Sequence, residues 1–124
     1  MRQWLKVLAF LLLFLLIVAG VFTASNVGRV RRAKEVELQQ YLWSMRKAVE
    51  FYENDKGRRP QSLDELVTAG YLREIPTDPF TGSNKTWSIE KEKESSAPNT
   101  PPGVFNIHSG AAGADKNGKP YNQY

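Results

Sequence analysis

Residues 29–60, RVRRAKEVELQQYLWSMRKAVEFYENDKGRRP, decide the fold of this chain. Their apolar residues recur in alternate steps of four and three, which predicts a helix with one buried face. The members of this stripe are Leu38, Leu42, Met45, Val49 and Tyr52. Tyr41, Ala48 and Phe51 widen the stripe, and a wide stripe favours packing on a sheet over a narrow coiled-coil seam. Gly57 and Pro60 follow where a left-handed cap and a missing amide donor end the helix.

An uncharged run, VLAFLLLFLLIVAGVFTASNVG from Val7 to Gly28, precedes this helix. At 1.5 Å per residue it reaches about 33 Å, enough to cross a hydrocarbon core of about 30 Å. A cleavable signal peptide is the alternative, because Arg2 and Lys6 form a basic segment and small residues follow the apolar centre. No proline interrupts the run, and a charged helical pattern resumes at Arg29. We therefore expect an uncleaved transmembrane helix that continues into the amphipathic one.

The composition leaves room for one small domain after the apolar run. The chain has 124 residues, of which 24% are charged, and this size excludes a multidomain enzyme. Cysteine is absent, which excludes disulfides, thiolate zinc sites and cysteine nucleophiles. The chain has 17 basic and 13 acidic residues, and without Arg2 and Lys6 beside the apolar run 15 basic residues nearly balance the 13 acidic ones, so we expect no nucleic-acid partner. The predicted organisation is a transmembrane helix in residues 1–28, followed by a stem helix and head in residues 29–124.

Shorter patterns predict the rest of the head. Ser62 and Glu65 form a capping box at the start of a short helix that Gly70 ends. Trp87–Ile89 and Val104–Ile107 alternate apolar and polar residues, as paired antiparallel strands do. The connection from Glu90 to Gly103 and the tail after His108 are predicted to be loops. The expected fold class is α+β, with a long N-terminal helix packed on a small antiparallel sheet.

Three motifs follow one another in the head: DKGRRP at 55–60, LxxLVxxGYL at 63–72 and IPTDPFTG at 75–82. Together with the order of the segments, these motifs resemble the major pseudopilins of type II secretion systems, within the type IV pilin-like superfamily. The resemblance covers about residues 33–124. The resemblance implies a pilin-like fold in which the first half of the helix lies in the inner membrane or a filament core. It also implies a single-pass protein with its head in the periplasm.

The charges around the apolar run bear on this orientation. The juxtamembrane acids Glu35 and Glu37 fit a translocated stalk. The basic residues after the run outnumber Arg2 and Lys6, and this count by itself favours a cytoplasmic head. These basic residues are Arg29, Arg31, Arg32 and Lys34, and we expect them to meet lipid headgroups. We follow the resemblance and expect a periplasmic head.

The resemblance implies a structural subunit that acts in protein export, and we expect no enzymatic activity. Its partners would be other pseudopilin or pilin-like subunits and the assembly platform. The five stripe residues are the candidates for subunit packing: Leu38, Leu42, Met45, Val49 and Tyr52. Trp43 falls off the stripe and is a candidate for an exposed contact to another subunit.

The alternative is a standalone, signal-anchored periplasmic binding domain that has a pilin-like fold but does not polymerise. Members of the family carry a Gly–Phe leader junction and an acid in the apolar run, which is thought to pair with the amino terminus of a neighbouring subunit. This chain has neither the junction nor an acid between Val7 and Gly28. We therefore expect the mature chain to begin at or near Met1.

Two groups of polar residues are candidates for chemistry. The family carries calcium in a loop after its last strand, and Asp115 is the one carboxylate in the corresponding segment here. Calcium takes six to eight oxygens, so we favour a simple Asp-Lys-Asn-Gly turn over calcium ligation at Asp115. We likewise expect Asp78 to form a turn before Pro79. His108 lacks a neighbouring carboxylate motif, and its adjacent Ser109 does not make a catalytic triad by adjacency.

Overall fold

The computed structural model describes residues 1–124 and has an α+β fold, which confirms the predicted fold class. Helix α1 spans Arg2–Lys56 and helix α2 spans Leu63–Thr68. Strands β1, Ser88–Lys91, and β2, Val104–His108, form one antiparallel sheet. A short 3₁₀ turn at Tyr121–Gln123 lies near the end of the chain.

The chain divides into two compact units, Met1–Ala33 and Lys34–Tyr124, which we call the N-terminal unit and the head. The division falls five positions after the boundary expected from the apolar run. In the N-terminal unit the side chains of residues 1–25 are all exposed. The apolar run lies in one helix that is long and apolar enough to span a membrane. Its exposed apolar surface is compatible with a transmembrane or signal-anchor segment.

The core of the head is built on one face of α1. The whole predicted stripe is buried there together with Ala48, and Leu38 and Met45 are fully inaccessible. The residues that complete the core come from α2, both strands and the C-terminal segment: Leu63, Leu66, Trp87, Val104, Ile107, Ala111 and Tyr121. The period of the stripe therefore predicted the packed face correctly.

Local signals end α1 and begin α2 where the sequence predicts. Gly57 has a φ of +69°, a left-handed conformation that a side chain disfavours, and its amide donates to the Glu53 carbonyl. The Ser62 hydroxyl accepts from the Glu65 amide and caps α2. The Glu65 carboxylate accepts from the amide of Gln61, one residue before the position that a regular capping box uses.

The sheet is narrow and irregular at one end. Ile89 pairs with Ile107, and a register shift after Glu90 leaves Phe105 without a partner on β1. β1 begins after Trp87 and extends to Lys91, so the sequence prediction placed this strand one residue early and ended it two residues early. The additional residues of β1, Glu90 and Lys91, are charged and exposed. Charged residues can continue a strand at the edge of a sheet, because both faces of the strand are open to solvent there.

Candidate functional site

The stripe predicted for subunit packing is used inside the head instead. Leu42 is 1% exposed and Val49 is 6% exposed, so neither side chain is open to a second subunit while the head is folded. Leu38, Met45 and Tyr52 are equally enclosed. The structure therefore corrects the assignment of these five residues: they hold the stem to its own head, because a wide apolar stripe is filled by its own sheet and α2.

The opposite side of the stem carries a second apolar set, which we call the outer stem face. It consists of Val36, Trp43 and Phe51, all more than half exposed, with Trp43 at 65%. The prediction that Phe51 widens the buried stripe is therefore wrong, because its position on the helix turns it away from the head. Spacings of seven and eight residues place the three side chains on one side of the helix over about 22 Å. Lys47 and Glu50 lie among them and form an ion pair of 2.6 Å. The outer stem face is therefore a candidate contact surface in which charged side chains separate the large apolar ones.

Arg46 fastens the stem to β2 and to the end of the chain. Its Nε donates to Asn106 Oδ1 at 2.9 Å, and its Nη2 donates to the carbonyls of Ile107 and Tyr124, both at 2.7 Å. Partial burial lowers the pKa of this guanidinium. The three oxygens that it binds come from positions more than fifty residues away in the sequence, which is why the helix pattern did not reveal this role.

The geometry at Asp115 is that of a closed turn. Its Oδ1 accepts from the amides of Asn117 and Lys119, at 2.7 and 3.0 Å, and its Oδ2 accepts from the Tyr124 hydroxyl at 2.6 Å. Gly118, with a φ of +81°, lets the chain reverse. The Tyr124 hydrogen bond lowers the pKa of Asp115, and the same bond raises the pKa of Tyr124 to about 12.

These residues do not fit a calcium ion. Calcium takes six to eight oxygens, usually with more than one carboxylate. Both oxygens of the single carboxylate at Asp115 accept hydrogen bonds from protein donors, and the chain places no group of three or more His, Asp or Glu side chains where they could hold a metal. The turn that the sequence favoured at Asp115 is the observed conformation.

Asp78 forms the predicted turn and has a second partner that the sequence did not reveal. Its Oδ1 accepts from the Phe80 amide at 2.9 Å, and the Gly82 amide donates to its carbonyl. Its Oδ2 accepts from the Ser109 hydroxyl at 2.5 Å, and both residues are inaccessible to solvent. The Ser109 hydroxyl also accepts from the Ala111 amide, so this pair joins the turn to the segment after β2.

His108 contacts Glu90 instead of the neighbouring Ser109. Its Nε2 lies 3.4 Å from Glu90 Oε2, and its Nδ1 lies 3.0 Å from the Tyr124 carbonyl oxygen. The antiparallel register brings β1 to His108, which supplies the carboxylate neighbour that the sequence lacked. Ser109 donates to Asp78, so the serine and the histidine do not form the nucleophile and base of a triad.

A third polar centre fixes α2 on the stem. Glu65 Oε1 accepts from Arg58 Nη2 and from the Tyr52 hydroxyl, each at 2.6 Å. Arg58, then Tyr52 and the Gln61 amide, lower the pKa of Glu65 to about 2. Burial raises the pKa of Tyr52, and its bond to Glu65 adds to the effect. The capping box revealed Glu65, but nothing local indicated Tyr52 as its partner.

Comparison with protein-family models found no match to the chain, and comparisons with curated proteins and with solved structures found none either. The functional assignment therefore rests on the contacts and the exposure of this chain's own residues. The core contacts account for the inner face of the stem and for the polar centres around Arg46, Glu65, Asp78 and Asp115. These contacts do not explain two exposed apolar surfaces, the apolar run of the N-terminal unit and the outer stem face.

Proposed function

We propose that this protein is a structural, pseudopilin-like subunit of a type II secretion or type IV pilus-like assembly. One observation carries the proposal: a single helix, α1, bears an exposed apolar run and then supplies the central element of a small α+β head. A chain built in this way has a means of lying in a membrane or a helical filament core and a means of presenting a folded head. The sequence motifs at 55–60, 63–72 and 75–82 support the same assignment.

The outer stem face is the surface that we assign to neighbouring subunits. Trp43 and Phe51 are large, exposed and held on a rigid helix, so their docking costs little conformational entropy. Aromatic side chains also contribute most to protein interfaces. The partners are other pseudopilin or pilin-like subunits and the assembly platform. In this proposal the chain crosses the inner membrane once, and the juxtamembrane acids Glu35 and Glu37 belong to a translocated, periplasmic stalk.

A second candidate function has one specific observation in its favour. No acidic residue lies between Val7 and Gly28, so the apolar run lacks the group that would pair with a charged amino terminus of a neighbour. A buried ion pair of that kind sets the register of packed helices. Without it, the chain fits a signal-anchored periplasmic binding domain that has a pilin-like fold and does not polymerise.

Crosslinking distinguishes the two functions. Because the natural chain contains no cysteine, a thiol-specific reagent reacts with this protein only at an introduced cysteine. A Trp43→Cys variant in intact membranes is treated with a short bismaleimide, the protein is immunoprecipitated, and the products are identified by mass spectrometry. A subunit should give adducts with pilin-like proteins or the assembly platform. The matched control is Lys116→Cys, which places the thiol on an exposed loop of the same head. Absence of such partners from both variants would reject the subunit function and favour the binding domain.

A further inference from the structure

The two edges of the sheet differ in how they are covered. On β2, the Val104 amide donates to the Pro60 carbonyl, and the Ile107 carbonyl accepts from Arg46. On β1, no backbone group of Ser88–Lys91 bonds to any element except β2. A sheet edge that keeps its amides and carbonyls unpaired is a template for another strand. The sheet can therefore be extended on the β1 side.

A groove lies beside this open edge, and we call it the β1 groove. It has a volume of about 440 Å³ and runs between β1 and the start of α2. Its apolar lining comes from Leu63, Ile75, Trp87 and Ile89. The Trp87 indole is held in place by a 2.8 Å hydrogen bond from its Nε1 to the Pro76 carbonyl. Trp87 and Ile89 are two positions apart, so they face the same side of the extended chain.

The charge of the β1 groove is mainly positive. Lys85 and Lys91 line it, and Asp64 is the one acidic residue among its lining side chains. Both lysines are exposed, and neither has an ion-pair partner among the salt bridges of the head. A strand added at this edge would place its alternate side chains in the groove, where carboxylates complement the lysines.

The sequence of the edge argues against a second copy of this chain as the occupant. Trp87, Ile89 and Lys91 all line the groove, so these alternate side chains share one face of the extended chain. In a two-fold antiparallel pair, residues that point to the same face lie opposite each other. A second copy would therefore add its own Trp87, Ile89 and Lys91 to the groove face, and with them a further lysine instead of a carboxylate. A strand of another protein that carries carboxylates at these positions complements Lys85 and Lys91 better than a second copy does.

We propose that the open edge of β1 and the β1 groove form a docking site for an extended peptide segment of another protein. The segment adds as a third strand, places apolar side chains on Ile89 beside the largely buried Trp87, and carries carboxylates that meet Lys85 and Lys91. This site is separate from the outer stem face and does not depend on the proposed subunit function.

The test uses a synthetic peptide, Asp-Thr-Val-Thr-Val-Thr-Asp with blocked ends, titrated into the ¹⁵N-labelled full chain in detergent micelles. Valine and aspartate side chains of this peptide share one face of the strand. We expect binding to shift the amide resonances of residues 87–91 and to slow their hydrogen exchange about tenfold, because an exposed strand edge becomes paired. The control peptide carries lysine in place of both aspartates and should bind more weakly.

Two charge reversals locate the contact. Lys91→Glu should weaken binding of the acidic peptide about twofold to fivefold, the range expected for one exposed ion pair. Lys116→Glu makes the same change in net charge on an exposed loop and should leave the affinity unaltered. Near-UV circular dichroism checks that both variants keep the fold. No binding at millimolar peptide, equal binding of the lysine peptide, equal effects of both variants, or protection outside residues 87–91 would each overturn the proposal.

Discussion

Neutralising Glu65 should remove a large part of the pH dependence that the stability of the head shows in the acid range. The pKa of Glu65 is about 2 in the folded head, against an ordinary value of 4.5, and Arg58 is the largest cause. A difference of this size corresponds to at most about 3.4 kcal/mol, at 1.36 kcal/mol per pH unit. Because 27% of the Glu65 side chain and 33% of the Arg58 side chain remain exposed, water screens the pair, and we expect about 2 kcal/mol.

The sign follows from the lowered pKa. A carboxyl group that ionises more easily in the folded head stabilises it fully above about pH 4.5, and this stabilisation is lost as the pH falls towards 2. Glu65→Gln lacks it at every pH, so the variant should be about 2 kcal/mol less stable at pH 7 and equal to the natural chain near pH 2. Urea unfolding of the full chain in micelles, followed by near-UV circular dichroism, measures the difference.

The matched control is Glu50→Gln. Glu50 is 54% exposed and pairs only with Lys47 along the same helix, so its removal should cost at most about 0.5 kcal/mol at any pH. A difference between the Glu65→Gln variant and the natural chain that stays constant from pH 7 to pH 2 would show that Glu65 acts through packing alone. The ionic explanation would then be wrong.

Three further outcomes follow from the same contacts. Leu42→Ala should lower the free energy of unfolding by about 2–5 kcal/mol because it opens a cavity, whereas the exposed Trp43→Ala should change it by at most about 0.5 kcal/mol in the same urea titration. Gly110→Ala should lower the melting temperature, since its methyl group would overlap the Thr86 carbonyl oxygen, while Ala112→Ser, at an exposed site, should not. The melting temperature should be the same in excess chelator and in about 1 mM calcium. A rise of several degrees that Asp115→Ala abolishes would contradict this.

Features with a local period or a local cap were predictable from the sequence. The stripe from Leu38 to Tyr52 predicted the packed face of α1, because buried positions along a helix recur with the helical turn. Ser62 predicted the start of α2, because only a few residue types cap the N-terminus of a helix. The alternation around Ile89 and Ile107 predicted both strands, although β1 continues to Lys91, beyond its last apolar residue.

Features that depend on distant pairing were not predictable. Ser109 was assigned to a loop, yet it is fully buried, because its hydroxyl meets Asp78 thirty-one positions earlier. Arg46 was one of several charges on the stem, and only the folded head shows that it binds the carbonyls of β2 and the chain end. A single sequence contains no periodicity from which such contacts can be derived.

Substitutions on the two faces of the stem helix should have different effects. The face with Leu42 is enclosed by the head, so any change there acts on the stability of the head first and on association only through it. The face with Trp43 contributes nothing to that core, so we expect a change there to leave the head folded. The stripe that the sequence offered as a subunit contact therefore belongs to the first class. While the head is folded, the apolar side chains of the stem that remain open to another protein are those of the outer stem face.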